Sequence, residues 1–219
     1  MLLLAGLTVL SCQDTKDHAA STTANQSYFK NVGHEIPFET GMRWMDLYQS
    51  KNSNGRLPGV EYSVSSMQLN TLLNSVDELT GVAFHYGLDD AGVRHIILVP
   101  IDPSLSVWST VPGRILVDAN TGNPVDQDVA HAWAQRYEQA NPDTIWFHYF
   151  GRGIFDDMNT IAYFNDIDIE PALSDLDLTP QLLLIVWNEH LLPLGRTQGD
   201  DNGGRVYDAS NPCPPCGVQ

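Results

Sequence analysis

The chain has 219 residues, with 11 Lys and Arg against 27 Asp and Glu, and a formal net charge of -16. A surface this acidic repels phosphate backbones and anionic headgroups, which excludes nucleic acid as a partner. The length suffices for one large or two small domains with hydrophobic cores of their own.

The first residues predict a secretory leader. An apolar run from Leu2 to Leu10 is followed by Ser11 and Cys12, and it is too short to span a bilayer as a helix. The sequence Val9-Leu10-Ser11-Cys12 resembles the lipobox of bacterial lipoproteins, although no Lys or Arg precedes the apolar run. The resemblance implies that residues 1–11 are removed and that Cys12 carries a lipid anchor. The alternative is a buried N-terminal strand or helix with an incidental cysteine.

A polar stretch follows the cysteine, and we interpret residues 12–33 as a disordered tether. Acidic residues directly after Cys12 are similar to those of Bacteroidota lipoproteins. This similarity implies that the protein is anchored through its lipid to the outer membrane of a bacterial cell envelope, on the periplasmic face or on the cell surface.

The remainder of the chain predicts an internal duplication. A helical pattern carries Trp44 and Tyr48, and a second carries Trp133 and Tyr137, so each aromatic pair lies on one helix face. After each helix the pattern continues as strand, helix, strand, strand. We therefore predict two similar helix-strand-helix-strand-strand units at residues 34–112 and 124–194. A connecting strand and turn occupies residues 113–123, and residues 195–219 form a Gly/Pro-rich tail.

These units predict an α+β fold, with a mixed or antiparallel sheet and helices on one face. Ser65, followed three residues later by Gln68, is a plausible N-cap for the second helix. The last strand of each unit, around 96–99 and 182–187, is apolar on both faces, which indicates a position in the sheet interior. The two halves pack either as one body or as two adjacent domains.

Acidic residues of the second unit suggest a metal site. Asp166, Asp168 and Asp177 follow an approximate calcium-loop spacing, and carboxylate oxygens are the ligands calcium prefers. However, Ile167 and Ile169 alternate with the acids as in a strand, so an exposed strand face is the favoured alternative. We therefore expect no cofactor, with calcium at these acids as the alternative.

The tail contains Cys213-Pro214-Pro215-Cys216. Pro215 disfavours a helical conformation at Pro214, so the motif lacks the helical first turn of a redox site. A disulfide between Cys213 and Cys216 or an inert tail is the favoured interpretation, with metal or redox chemistry as the alternative.

Other catalytic patterns are missing from the sequence. It contains no His-Glu-x-x-His, no Gly-x-Ser-x-Gly and no glycine-rich phosphate loop. His85 and His95 flank one predicted hairpin, where only the strand register decides whether they meet. Two hypotheses remain: a non-catalytic lipoprotein that binds a protein or ligand, and an extracytoplasmic metal-assisted hydrolase.

Overall fold

The computed structural model describes residues 27–51, 62–161, 164–187, 204–208 and 211–213. In these ranges the chain folds into strands and helices that alternate in two successive series. In chain order the elements are β1 (His34–Ile36), α1 (Phe38–Lys51), β2 (Ser63–Ser65), α2 (Ser66–Leu73), β3 (Gly81–Leu88), β4 (Arg94–Ile101), β5 (Leu116–Asp118), β6 (Asn123–Val125), α3 (Gln127–Ala140), β7 (Phe147–Gly151), α4 (Arg152–Met158), β8 (Asp166–Leu173), β9 (Pro180–Val186), β10 (Arg205–Asp208) and β11 (Asn211–Cys213).

The strands form two sheets. Sheet A has the order β1-β10-β9-β8-β2 and sheet B the order β11-β7-β3-β4-β5-β6. All strand pairs are antiparallel. The predicted α+β class is confirmed, and of the two sheet types considered, the antiparallel one is present.

The structure contains the predicted duplication. The series β1, α1, β2, α2, β3, β4, β5 recurs as β6, α3, β7, α4, β8, β9, β10. Helices α1 and α3 both have 14 residues and start 89 positions apart, at 38 and 127. Strands β3 and β8 both have 8 residues and start 85 positions apart, at 81 and 166. We call the two series the first and the second repeat.

The two repeats exchange strands. In sheet A, β1 and β2 of the first repeat flank β10, β9 and β8 of the second, and in sheet B, β6 and β7 of the second repeat flank β5, β4 and β3 of the first. Each sheet therefore needs both repeats, and the halves form one body. This exchange follows from pairing between strands that are distant in sequence, which local patterns do not encode.

The pairing registers identify equivalent residues in the two repeats. Asp118 pairs with Ile97 on the central strand β4, and Asp208 pairs with Leu183 on the central strand β9. The two aspartates thus occupy matching positions, 90 residues apart (118 and 208), and both are buried, at 4 % and 6 % exposure.

A core shared by both sheets lies at the centre of the molecule. Phe84 of sheet B and Ile169 of sheet A contribute to it, together with Leu72 of α2 and Phe155 of α4. Two smaller clusters lie on the opposite sheet faces, where α1 packs on sheet A and α3 on sheet B. Each sheet thus carries one long helix on the face turned away from the shared core.

Several local predictions are confirmed. Ser65 caps α2 through a capping box with Gln68. Strands β4 and β9 have neighbours on both sides and are almost completely buried, as their double-sided apolar sequence indicated.

The predicted tether extends too far. Residues 27–33 belong to the folded body, because Phe29 and Val32 are buried at 6 % and 4 % exposure. Phe29 packs edge-on against Tyr149, and the Gly151 amide donates to the Val32 carbonyl at 2.8 Å. The three-residue spacing of the two apolar side chains brings both to one side of a helical turn.

The predicted tail is wrong for residues 205–208 and 211–213. Strand β10 lies between β1 and β9, and β11 pairs with β7 at the edge of sheet B. Because each strand is only three or four residues long, its alternation carries too little signal for sequence analysis.

Candidate functional site

A cleft of about 270 Å³ opens between β1, the start of α4 and β10. We call it the β1–α4 cleft. Its lining residues come from the segment leading into β1, from β1 itself, from α4 and from β10: Asn31, Gly33, His34, Glu35, Gly153, Ile154, Asp157 and Tyr207. Its volume lies just below the range typical of sites for drug-sized ligands.

Asp157 is the centre of a polar network at this cleft. Its Oδ2 accepts a hydrogen bond from the Tyr207 hydroxyl at 2.7 Å and one from Arg205 Nη1 at 3.0 Å. Arg205 also lies 3.7 Å from a Glu35 carboxylate oxygen. Arg205 and Tyr207 are two positions apart on β10, and Glu35 is the register partner of Tyr207, so all three side chains lie on one face of sheet A.

The network stabilises the protonated forms of its donors. Burial raises the pKa of the Tyr207 phenol, and the hydrogen bond to Asp157 raises it further. The hydrogen bond with Tyr207 raises the pKa of Arg205. Tyr207 therefore remains a neutral donor and Arg205 a cation at physiological pH.

The internal duplication supplies a comparison for this network. In the pairing registers, β5 of the first repeat lies between β4 and β6 as β10 of the second lies between β9 and β1, so β5 and β10 are equivalent strands. Helix α2 corresponds to α4 in the same way. The four network residues, in the order Glu35, Asp157, Arg205 and Tyr207, match Pro124, Thr71, Ile115 and Val117. The first repeat thus forms the equivalent strands and helix, with the same strand pairing, without a charged network. The fold itself does not require these residues.

The three acids predicted as metal ligands do not converge. Asp166 and Asp168 lie near the start of β8, and Asp177 lies in the turn after the strand ends at Leu173. At about 3.3 Å per residue, Asp168 and Leu173 are separated by roughly 16 Å. Asp168 accepts from Trp187 Nε1 at 2.6 Å.

Asp177 instead stabilises its own turn. Its Oδ1 accepts from the Thr179 amide at 3.0 Å. Within the described ranges no group of three or more His, Cys, Asp or Glu side chains is arranged to hold a metal ion. The favoured alternative for Asp166 and Asp168, a strand face, is what the structure contains.

The predicted cysteine sites fall largely outside the described residues. Cys12 and Cys216 are not among them, and Cys213 ends β11, which pairs with β7. The lipidation of Cys12 and the disulfide therefore stay predictions.

The strand register does bring the two hairpin histidines to one face. His85 pairs with Ile97 and His95 with Gly87, and both lie under α3. His85 is 3.4 Å from Glu138, and His95 is 3.1 Å from Asp118 and stacks on Trp133. Both are buried sheet residues with carboxylate neighbours.

The predicted elements contain no sign of the cleft, because β10 lies inside the predicted tail. The adjacent acids of α4 point apart, as neighbours on a helix do: Asp156 pairs with Arg152 at 2.9 Å and Asp157 with Arg205. The signal that was present is the resemblance of Arg205-Val206-Tyr207-Asp208 to the strand-like Ile115-Leu116-Val117-Asp118 in the first repeat.

No protein-family model, no curated protein and no solved structure matches this chain. In the part of the chain that the structure describes, no helix has the length and hydropathy needed to cross a bilayer.

Proposed function

We propose that this protein is an envelope lipoprotein, anchored by lipid on Cys12, whose folded body binds a small polar ligand in the β1–α4 cleft without chemically changing it. One observation carries the proposal: the network around Asp157 lies at a cleft in the second repeat and has no counterpart in the first. Charged groups that the architecture does not need are most simply explained by a ligand.

The charges at the cleft favour a neutral or cationic ligand. Two carboxylates, Asp157 and Glu35, face one guanidinium, that of Arg205. The chain as a whole carries -16, so anions are repelled from the surrounding surface as well.

The hydrogen-bonding capacity favours a ligand with several donors. Among the described residues, both donors to Asp157 bind Oδ2, so we assign Oδ1 to the ligand. The Glu35 carboxylate, with about half of its side chain exposed, offers further acceptor positions. A small molecule with hydroxyl groups and an ammonium group meets both requirements.

Thermal denaturation of the purified protein with three probes tests this proposal. Glucosamine, glucose and glucuronate share one ring and differ in charge, so they separate the effect of charge from that of hydroxyl groups. A ligand that binds only the folded state raises the Tm. We expect the largest increase with glucosamine, a smaller one with glucose and none with glucuronate.

Two variants locate the effect in the cleft. Glu35→Gln should reduce the response to glucosamine towards that of glucose, whereas Glu39→Gln, exposed on α1 outside the cleft, should leave it unchanged. Gly153→Met introduces at the cleft the residue that the first repeat carries as Met67. A β-carbon at position 153 first meets the Lys30 carbonyl oxygen, at 3.2 Å, so this carbonyl must move by a few tenths of an ångström to admit the side chain.

Three results would contradict the proposal. The first is the absence of a Tm increase with all of the probes. The second is an increase that persists unchanged in both Glu35→Gln and Gly153→Met. The third is consumption of a probe, followed by chromatography, which would replace binding by catalysis.

A further inference from the structure

The turn between β8 and β9 exposes two leucines. Leu176 is 90 % exposed and Leu178 is 50 % exposed. Large apolar side chains scattered singly over a surface are common, but two within three residues at the tip of a hairpin form a small apolar projection.

This projection is held in one conformation by hydrogen bonds. The Leu178 amide donates to the Ser174 carbonyl at 3.0 Å. Asp175 accepts from Arg43 Nε at 2.7 Å and from Trp44 Nε1 at 2.8 Å, which ties the turn to α1. The leucines are therefore presented on a pre-organised turn, which lowers the entropic cost of binding.

The backbone at Leu178 is strained. Its φ is 60, in the left-handed region that a bulky residue rarely adopts. Leu105, with φ 58, has similar strain, but its side chain packs against the core under α3. Half of the Leu178 side chain is exposed instead, so packing compensates less of its strain.

The corresponding turn of the first repeat contains no leucine. It joins β3 to β4 and has Ala91 near its tip and Gly92 at the positive φ of 77. Glycine is the residue such a position ordinarily takes. The turn of the second repeat is one residue longer, 174–179 against 89–93, and it has Leu176 and Leu178 where the first has Ala91 and Gly92.

The charges next to the leucines indicate what they contact. Asp175 and Asp177 flank Leu176, and hydrogen bonds hold both pKa values below the ordinary range, from Arg43 to Asp175 and from the Thr179 amide to Asp177. Arg43 balances the charge of Asp175, so Asp177 and the net charge of -16 of the chain make this surface acidic. Segments that lie on membranes combine apolar side chains with Lys and Arg, which is the opposite charge pattern.

We propose that the β8–β9 turn is a docking element, which inserts Leu176 and Leu178 into an apolar pocket of a partner protein whose rim is basic. The pocket buries the leucines, and the rim pairs with Asp177, while Asp175 stays bonded to Arg43. This surface is distinct from the β1–α4 cleft and does not depend on the function proposed for it.

Site-specific photocrosslinking in intact cells that naturally express the chain tests the proposal. A photoreactive amino acid replaces Leu176 in the full chain, and the control carries it at Ala91 in the equivalent turn. We expect one protein adduct at position 176 that is absent at position 91. The captured protein is then purified, and its Kd for the unlabelled chain is measured at low and at high salt.

Support requires that Leu176→Ser weaken this Kd by about ten-fold or more, as for a buried hot-spot residue. Ala91→Ser should leave the Kd unchanged, and high salt should weaken binding of the wild type. Adducts with phospholipid, adducts of twice the chain mass, no adduct, or a Kd insensitive to Leu176→Ser would each overturn the proposal.

A second measurement needs no partner. Leu178→Gly removes the side chain that makes a positive φ unfavourable, so the Tm should rise by about 2–4 °C. A decrease of the Tm would show that Leu178 stabilises the turn and would overturn the inference that it is kept for docking.

Discussion

The buried carboxyl of Asp208 makes the stability of this protein depend on pH, and Asp208→Asn isolates that contribution. Burial raises the pKa of Asp208 from 3.8 to about 6, although the charge of His34 acts in the opposite direction. Asparagine has nearly the same shape and stays neutral at every pH. The variant therefore removes the cost of ionising this position and keeps nearly the volume of the original side chain.

The sign and size follow from proton linkage. Between pH 3.8 and about 6 the native state binds more protons at Asp208 than the unfolded state, so the free energy of unfolding falls as the pH rises. A difference of about 2 pKa units corresponds to roughly 3 kcal/mol at most. Relative to wild type, Asp208→Asn should have nearly equal stability at pH 4 and be more stable by about 3 kcal/mol at pH 7 and above.

Urea denaturation followed by tryptophan fluorescence, at intervals from pH 4 to pH 8, measures this difference. The matched control is Asp118→Asn at the equivalent position of the first repeat. Asp118 accepts hydrogen bonds from the Asn120 amide at 3.1 Å and from the Thr121 hydroxyl at 3.0 Å, and it lies 3.1 Å from His95 Nδ1. Its replacement should destabilise the protein by about 1 kcal/mol. If Asp208→Asn gives the same difference at pH 4 and pH 8, or is destabilising at pH 8, the reasoning from burial is refuted.

Four further predictions concern the core, the sheet, the metal and the anchor. Phe155→Ala in the shared core should reduce the free energy of unfolding by about 3–5 kcal/mol in the same urea assay, because the side chain is completely buried. Gly81→Ala should be destabilising by about 1–3 kcal/mol, since its β-carbon would overlap the Phe150 carbonyl oxygen. Millimolar calcium should leave the Tm unchanged, because the predicted acids are far apart along the hairpin. Cys12→Ser should abolish lipid attachment, as measured by the intact mass of protein extracted from membranes.

Each of these predictions has its own control. Asp156→Ala, next to Phe155 but exposed, should change stability by about 0.5 kcal/mol or less. Gly153→Ala, where the nearest contact is 3.2 Å, should be tolerated better than Gly81→Ala. A calcium-dependent increase in the Tm would favour the metal-assisted hydrolase instead. Wild-type protein without lipid and with residues 1–11 still attached would contradict the proposed anchor.

Sequence reasoning was most successful for the helices and central strands. The Trp44 and Trp133 helices, the Ser65 cap and the strands β4 and β9 all occur where predicted. These features depend on periodicity and capping within a few neighbouring residues, which the sequence displays directly. The short strand β10 has no such signal.

The candidate site could not be predicted in the same way. Glu35, Asp157, Arg205 and Tyr207 meet only because β1 crosses to the sheet of the second repeat and β10 pairs beside it. The opposite holds for the predicted metal ligands Asp166, Asp168 and Asp177. They are close in sequence, but the extended conformation of β8 separates them.

By itself, the sequence determined the duplicated order of helices and strands, because that order is a property of local hydrophobic periodicity repeated along the chain. Only the tertiary structure decided how the two repeats combine, since strand partners and registers depend on contacts between distant segments. The same pairing forms a charged cleft at the second repeat and none at the equivalent residues of the first. It also places Leu176 and Leu178 on an exposed turn, in which Leu178 has a strained backbone.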